Sequence, residues 1–339
     1  MLKLAIIGAG NIARIRARAL LKTGQIELCG VAAHRQTSAE KFARDFSIPF
    51  ATDNYKELSN TKPDAFLLEV PHQIQDEAAI WTLQQKCHLL IGGCLATSSA
   101  VGKQIIHLAN KYHSIVECGY EARYKACWQK VKQYLRDKEI GLPLTVNAIA
   151  LWQPPPNSWY TQQTTSGGMP VTHMTYAFIN PLRWLFGHGV HISTQANALE
   201  DYGNDSLKEN LCITQLKFPG ELLASLTAGF VSALPAKRWH LDVVGTKGII
   251  EIHPGDLDEG SLIIHQGQGD SREESFDHAI NAFDGQAAVF VESCLERQND
   301  MHSISQCLNP PEDAIKDIKL TESITHFLYR ETKNEHALA

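Results

Sequence analysis

Up to about residue 120, short apolar runs alternate with longer segments whose apolar residues recur every three or four positions. The runs at 2–7, 27–33, 65–70, 88–91 and 115–119 have the length of strands, and the segments at 12–21, 38–45, 73–85 and 100–112 have the helical period. Such alternation builds a parallel sheet covered on both faces. A helical stretch over 124–137 then leads through Gly141-Leu142-Pro143 into a different pattern. Strand-like runs follow at 144–152, 211–218, 221–230, 238–244 and 249–253, with Gly220, Gly245 and Gly248 marking turns. A succession of this kind predicts a mostly antiparallel sheet. Two helical patterns, 279–298 and 311–333, close the chain, and Pro311, Glu312 and Asp313 suit the first turn of the second. Between the two regimes, 153–166 is rich in Pro, Thr and Gln and reads as a surface loop of the kind that often carries function.

The first strand runs straight into Gly8-Ala9-Gly10-Asn11-Ile12-Ala13, and a helical pattern follows at once. In such a strand–turn–helix, Gly8 permits a tight turn and Gly10 lets a diphosphate approach the backbone. Ala13 keeps the helix close to the strand, and the free amides of the helix start, from Asn11 and Ile12 onward, face the anion. The expected fold is therefore α/β: an N-terminal Rossmann doubly wound parallel sheet over 1–122, then a C-terminal α+β domain with a large, mostly antiparallel open sheet over 123–339. The end of the second strand reads Ala32-Ala33-His34-Arg35-Gln36, with no carboxylate before Glu40. Arg35, with His34, suits a 2′-phosphate, so NADP is expected, with NAD as the alternative. Arg14 is a further candidate for the phosphates.

Composition narrows the remaining classes. The chain has 339 residues, 44% hydrophobic and 20% charged, with a net charge of −6. That balance favours a soluble globular protein with a small-molecule substrate over one that binds nucleic acid or a membrane. The first strand opens the chain and no apolar run spans a bilayer, so a cytoplasmic protein without a leader is expected. Eight cysteines show no Cys-x-x-Cys pair, which predicts free buried thiols. The fifteen histidines show no compact ligand spacing, and no metal site is expected.

The ordered series of motifs resembles the glucose–fructose oxidoreductase/inositol dehydrogenase family, Gfo/Idh/MocA. Beyond the glycine turn, Glu69-Val70-Pro71-His72 resembles the family's Thr-Pro-Asn segment, and Gly92-Gly93-Cys94-Leu95-Ala96 its Glu-Lys-Pro-Leu-Ala. Gly119-Tyr120-Glu121-Ala122-Arg123-Tyr124 is similar to its Gly-Tyr-Asn-x-Arg-Phe. Gly167-Gly168 and Leu182-Arg183-Trp184 bracket the family's catalytic helix. The resemblance implies hydride transfer between NAD(P) and a carbonyl or alcohol carbon, with Val70, Pro71, His72 and Gly93 on the cofactor side. It also implies a homo-dimer or homo-tetramer formed through the second sheet.

Two positions depart from the family pattern. Gly93 stands where the lysine near the nicotinamide would be, with Gly92 for the glutamate and Cys94 for the proline. Ala177 stands at the catalytic histidine, His173 at the aspartate and Asn180 at a later aspartate. Glycine and alanine carry no side-chain proton. In one reading His173, one helical turn before Ala177, supplies it, with Tyr160, Tyr120 and Cys94 as further candidates. The competing reading of His173 is a hydrogen-bonded core histidine. In another, an imine or conjugated substrate needs little proton transfer, and Gly92-Gly93 leave room beside the nicotinamide for a bulky or flat molecule. In a third, the protein is a catalytically silent NADP-binding regulator.

Overall fold

A computed structural model describes residues 1–153, 159–168, 170–197, 207, 209–231, 237–255, 260–267, 269–276 and 281–335. The chain forms two compact units, 1–121 with 281–315, and 122–280 with 316–339.

The first unit holds a six-stranded sheet in the order β3-β2-β1-β4-β5-β6, and every pairing in it is parallel. Its strands are β1 Leu2–Ile7, β2 Ile26–Ala32, β3 Ala51–Thr52, β4 Ala65–Leu68, β5 His88–Ile91 and β6 Val116–Cys118. Leu4, Ile6, Leu67 and Leu90 are buried, as continuous apolar strands in a covered parallel sheet should be. Helices α1 Asn11–Lys22, α2 Gln36–Phe46, α3 His72–Gln84 and α4 Ser99–Tyr112 alternate with the strands.

The second unit begins with α5 Ala126–Arg136 and carries an eight-stranded sheet. Its strands are β7 Pro143–Trp152, β8 Val190–Asn197, β9 Leu211–Lys217, β10 Leu223–Phe230, β11 Arg238–Gly245, β12 Gly248–His253, β13 Ser261–Gln266 and β14 Asp270–Ser275. They lie in the order β14-β13-β12-β11-β7-β10-β9-β8. Among the described residues only β7 and β10 pair in parallel. Alternate residues, among them Val146, Ala148, Leu226, Leu241 and Ile250, are buried in one core with Met174, Phe178 and Leu182. The 153–166 segment is partly structured: a 3-10 turn at Trp159–Thr161 precedes a short α6 Gln163–Ser166, while 154–158 lie outside the described residues.

Two features depart from expectation. The helix expected in 279–298 is α8 Ala282–Asn299 (α7 is Asn180–Phe186), and it belongs to the first unit rather than to a continuous second domain. Phe283, Ala287, Phe290, Val291 and Cys294 on α8 share a core with Leu4, Ala17 and Leu20, which is why this segment returns. The final helix, α9 Pro311–Glu335, contains the boundary at residue 315. Secondly, Pro170–Ile179 is a π-helix, not an α-helix, running into α7. Its wider turn breaks the four-residue stacking on which the expected relation of His173 to Ala177 rested.

Among the described residues no helix is long and apolar enough to cross a membrane, and no three His, Cys, Asp or Glu side chains group as a metal site. All eight cysteines are free and buried.

Candidate functional site

In a parallel sheet of this order, ligands lie beyond the carboxyl ends of the strands where the winding reverses, beside β1. Gly8 leaves β1 with φ +111, and a Cβ there would fall 1.9 Å from the Glu69 carbonyl oxygen. Only glycine makes that turn. Gly10 caps α1, and a Cβ there would meet nothing within 4 Å. No side chain caps α1 and no acid stands in its first turn. Gly10, Asn11 and Ile12 are exposed. The result is an open main-chain cradle whose amides suit a diphosphate.

Arg35 caps α2 and is exposed together with His34 at the end of β2. Gln36 Nε2 donates to Glu40 Oε1 at 3.0 Å. Arg14 is committed elsewhere: it pairs with Asp45 at 2.6 Å and lies over the Phe42 ring. That ion pair draws its guanidinium toward α2 and away from the phosphate role considered for it.

The two glycines after β5 differ in what surrounds them. Gly93 is open, with φ +78 and nothing within 4 Å of a built Cβ. At Gly92 a Cβ would lie 2.2 Å from Glu69 Oε2 and 2.5 Å from Oε1. The room expected at Gly92 is therefore filled, because the Glu69 side chain occupies it. Glu69 is held by Arg16, with Nε 2.5 Å from Oε1. Arg16 is buried, donates to Gln286 Oε1 at 2.5 Å and also to the Gly119 carbonyl. Burial pushes the Glu69 carboxyl up, against the pull of Arg16. Gln286 in turn donates to Glu117 at 3.0 Å. Sequence reasoning missed this network, although Arg16 shares a helix face with Ala13 and Leu20, a signal that its charge would be buried.

Val70 and Pro71 are half-buried at the start of α3, and His72 opens that helix with its ring against Cys94. Tyr120 is 4% exposed, and its carbonyl accepts from Asn309 Nδ2 at 2.8 Å.

In the second unit, His173 is 1% exposed. Its Nε2 meets the Ala150 carbonyl at 3.1 Å, and its ring centroid lies 3.7 Å from that of Trp152 and 4.9 Å from that of Phe230. Burial drives its pKa down to about 3, so the imidazole is neutral at pH 7. These surroundings match the core-histidine reading. Ala177, which stands at the position of the family's catalytic histidine, is fully buried in the same core. Tyr160 is 38% exposed and stacks on Trp159 at 4.2 Å. Asn180 donates to Asp317 at 2.8 Å beside the buried Arg183–Asp317 pair.

Residues 2–120 match the Gfo/Idh/MocA oxidoreductase family, NAD-binding Rossmann fold, and residues 128–251 match that family's C-terminal domain. Trans-1,2-dihydrobenzene-1,2-diol dehydrogenase of Xenopus laevis is 25% identical over 231 residues, 67% of each chain. An uncharacterized oxidoreductase of Bacillus subtilis, YrbE, is 21% identical over 186 residues, so that this chain spans only about half, 54%, of its length. Among solved structures, an aldose–aldose oxidoreductase from Caulobacter crescentus, complexed with glycerol, has a TM-score of 0.83 at 19% identity, covering 97% of this chain and 98% of its own. A 3-ketoreductase from Actinomadura kijaniata, in complex with NADP and TDP-benzene, has a TM-score of 0.83 at 16% identity, covering 96% and 98%. With both domains matched in order on a fold of this kind, the chain belongs to the Gfo/Idh/MocA oxidoreductase family, and its first domain is that family's NAD-binding Rossmann domain.

Proposed function

We propose that this protein is an NADP(H)-dependent oxidoreductase that exchanges a hydride with a carbonyl, alcohol, imine or conjugated carbon of a small molecule. The nicotinamide cofactor supplies the hydride chemistry when bound. The amides after Gly10 hold its diphosphate, and Arg35 with His34 takes the 2′-phosphate. Val70, Pro71, His72 and Gly93 line the carboxyl ends of β4 and β5, where the ring of the cofactor belongs. The observation that carries the reading is the uncapped start of α1 behind Gly8 and Gly10. The name of the matched diol dehydrogenase favours ring secondary alcohols and their ketones as the first substrates to try. Tyr160, exposed beside Trp159, is a proton donor better supported than the buried His173 or Tyr120.

A second reading, the silent NADP-binding regulator, is favoured by two observations: Gly93 has no side-chain proton to give, and His173 is buried with its Nε2 on the Ala150 carbonyl. Deuteride transfer from labelled NADPH to a panel of cyclic ketones, imines and enones separates the two. Transfer to any member supports the enzyme. Tight NADP binding with no transfer across the panel supports the regulator. For the assembly we propose a homo-dimer or homo-tetramer through the second sheet, where Val190, Ile192, Ile213 and Leu223 are 44–61% exposed. Light scattering of the protein in solution measures the subunit count.

A further inference from the structure

Beside the nicotinamide end of the first sheet, a thiol and an imidazole face each other. Cys94 follows β5 and packs on the first turn of α3, with its Sγ 3.5 Å from His72 Nε2. Gln75, one turn along the helix, donates from Nε2 to the Cys94 carbonyl at 2.8 Å and lies 3.7 Å from its Sγ. Cys94 is 4% exposed, His72 9% and Gln75 1%. Gln75 Oε1 is buried without a partner among the described residues. Burial would raise the thiol pKa, but the charge and hydrogen bond of His72, with the hydrogen bond of Gln75, outweigh it and leave Cys94 below the ordinary thiol value. Asp76 opposes this shift, although its carboxylate already accepts from the Thr97 amide and hydroxyl. Elsewhere burial pushes the thiols of Cys29, Cys87, Cys127, Cys212, Cys294 and Cys307 up.

We propose that Cys94 is a nucleophilic thiol whose proton is held by His72, forming a site for soft carbon electrophiles of the conjugated-carbonyl class. The Cys94 sulfur forms a bond to the β-carbon of the electrophile. The π pair of its C=C bond moves to the α-carbon, which takes the proton from His72. Nothing is oxidised or reduced and no group leaves. Gln75 Oε1 supplies an acceptor next to the adduct. A thiol beside an imidazole and the start of a helix is the setting in which thiolates form.

The test is alkylation of the full-length protein by acrylamide, a small vinyl amide, with each cysteine followed by peptide mass spectrometry. Cys94 is expected to react about tenfold faster than any other cysteine, with a rate that levels off at a lower pH than that of a free-cysteine control. His72→Asn should slow it about tenfold. A Cys94 rate no faster than the rest, or unchanged in His72→Asn, would overturn the proposal. Should that variant not fold, the pH profile of the wild-type rate decides alone. Only the last arm rests on the nucleotide reading: NADP should protect Cys94. Unprotected labelling in protein that calorimetry shows to hold NADP would overturn the placement of the thiol beside the cofactor. Absence of NADP binding would count against the nucleotide reading, and the alkylation rates would still judge the thiol.

Discussion

The Arg16 guanidinium and the Glu69 carboxylate meet at 2.5 Å in the space that a side chain on residue 92 would need. A carboxylate thus stands in front of residue 92 although residue 92 itself is glycine. Gly92→Ala should expel Glu69 and leave Arg16 buried and unpaired, a loss of about 3–5 kcal/mol. Glu69→Ala should cost a similar amount. The double variant Glu69→Ala/Gly92→Glu returns a carboxylate to the same space and should recover much of the loss. Denaturant titration of the three variants checks this, and a double variant no more stable than Glu69→Ala would refute the shared space.

Arg35 stands at the N-cap of α2, whose first turn carries no acidic residue. Arg35→Ala should weaken NADP binding by about tenfold or more, the worth of a charged hydrogen bond, and leave NAD nearly unchanged. Calorimetry with both nucleotides measures the ratio. Equal weakening of the two would remove Arg35 from phosphate recognition.

His173 packs between Trp152 and Phe230 and is bonded to the Ala150 carbonyl. Replacing it with Ala should open a cavity worth about 2–4 kcal/mol. In a protein that turns over, the pH dependence of kcat should not move. A kcat profile that loses a titrating group in the variant would return His173 to the chemistry.

His88 is buried in β5, where its Nδ1 accepts the Ile115 amide at 2.9 Å. Burial, aided by Arg297, lowers its pKa to about 4. The unfolded value is about 6.5, so between the two values the unfolded chain binds more protons. Stability should therefore fall as the pH drops from about 6.5 toward 4, by about 3 kcal/mol in total. His88→Asn keeps an acceptor for Ile115 but does not titrate. Urea midpoints at about pH 7 and pH 4.5 should differ less in this variant than in the wild type. An identical pH dependence would show that His88 contributes none of it.

Strong periodicity made most of the fold legible: the strands expected at 2–7 and 88–91 coincide with β1 and β5. Of the strands that escaped, β3, β8 and β14 lie at sheet edges, while β13 pairs between β12 and β14. β14 reads Asp270-Ser271-Arg272-Glu273-Glu274-Ser275, with no apolar residue to signal a buried face, and β8 is largely exposed. An edge strand is defined by its one neighbour, so its own pattern is weak. The glycine turn was legible because its chemistry is local. The filled space at Gly92 and the thiol beside His72 were not, since each depends on a side chain from another strand or helix. The π-helix escaped because its apolar residues also satisfy the ordinary helical pattern.

The return of α8 to the first unit bears on how the protein is made. Phe283 and Phe290 complete a core begun by Leu4 and Leu20, and Gln286 joins Arg16 to Glu117. A chain emerging from the ribosome therefore carries an unsealed Rossmann sheet until Asn299, the last residue of α8, has cleared the exit tunnel. Nascent chains stalled before that point should expose an apolar seam to chaperones, and the amino-terminal segment expressed alone should be prone to aggregation.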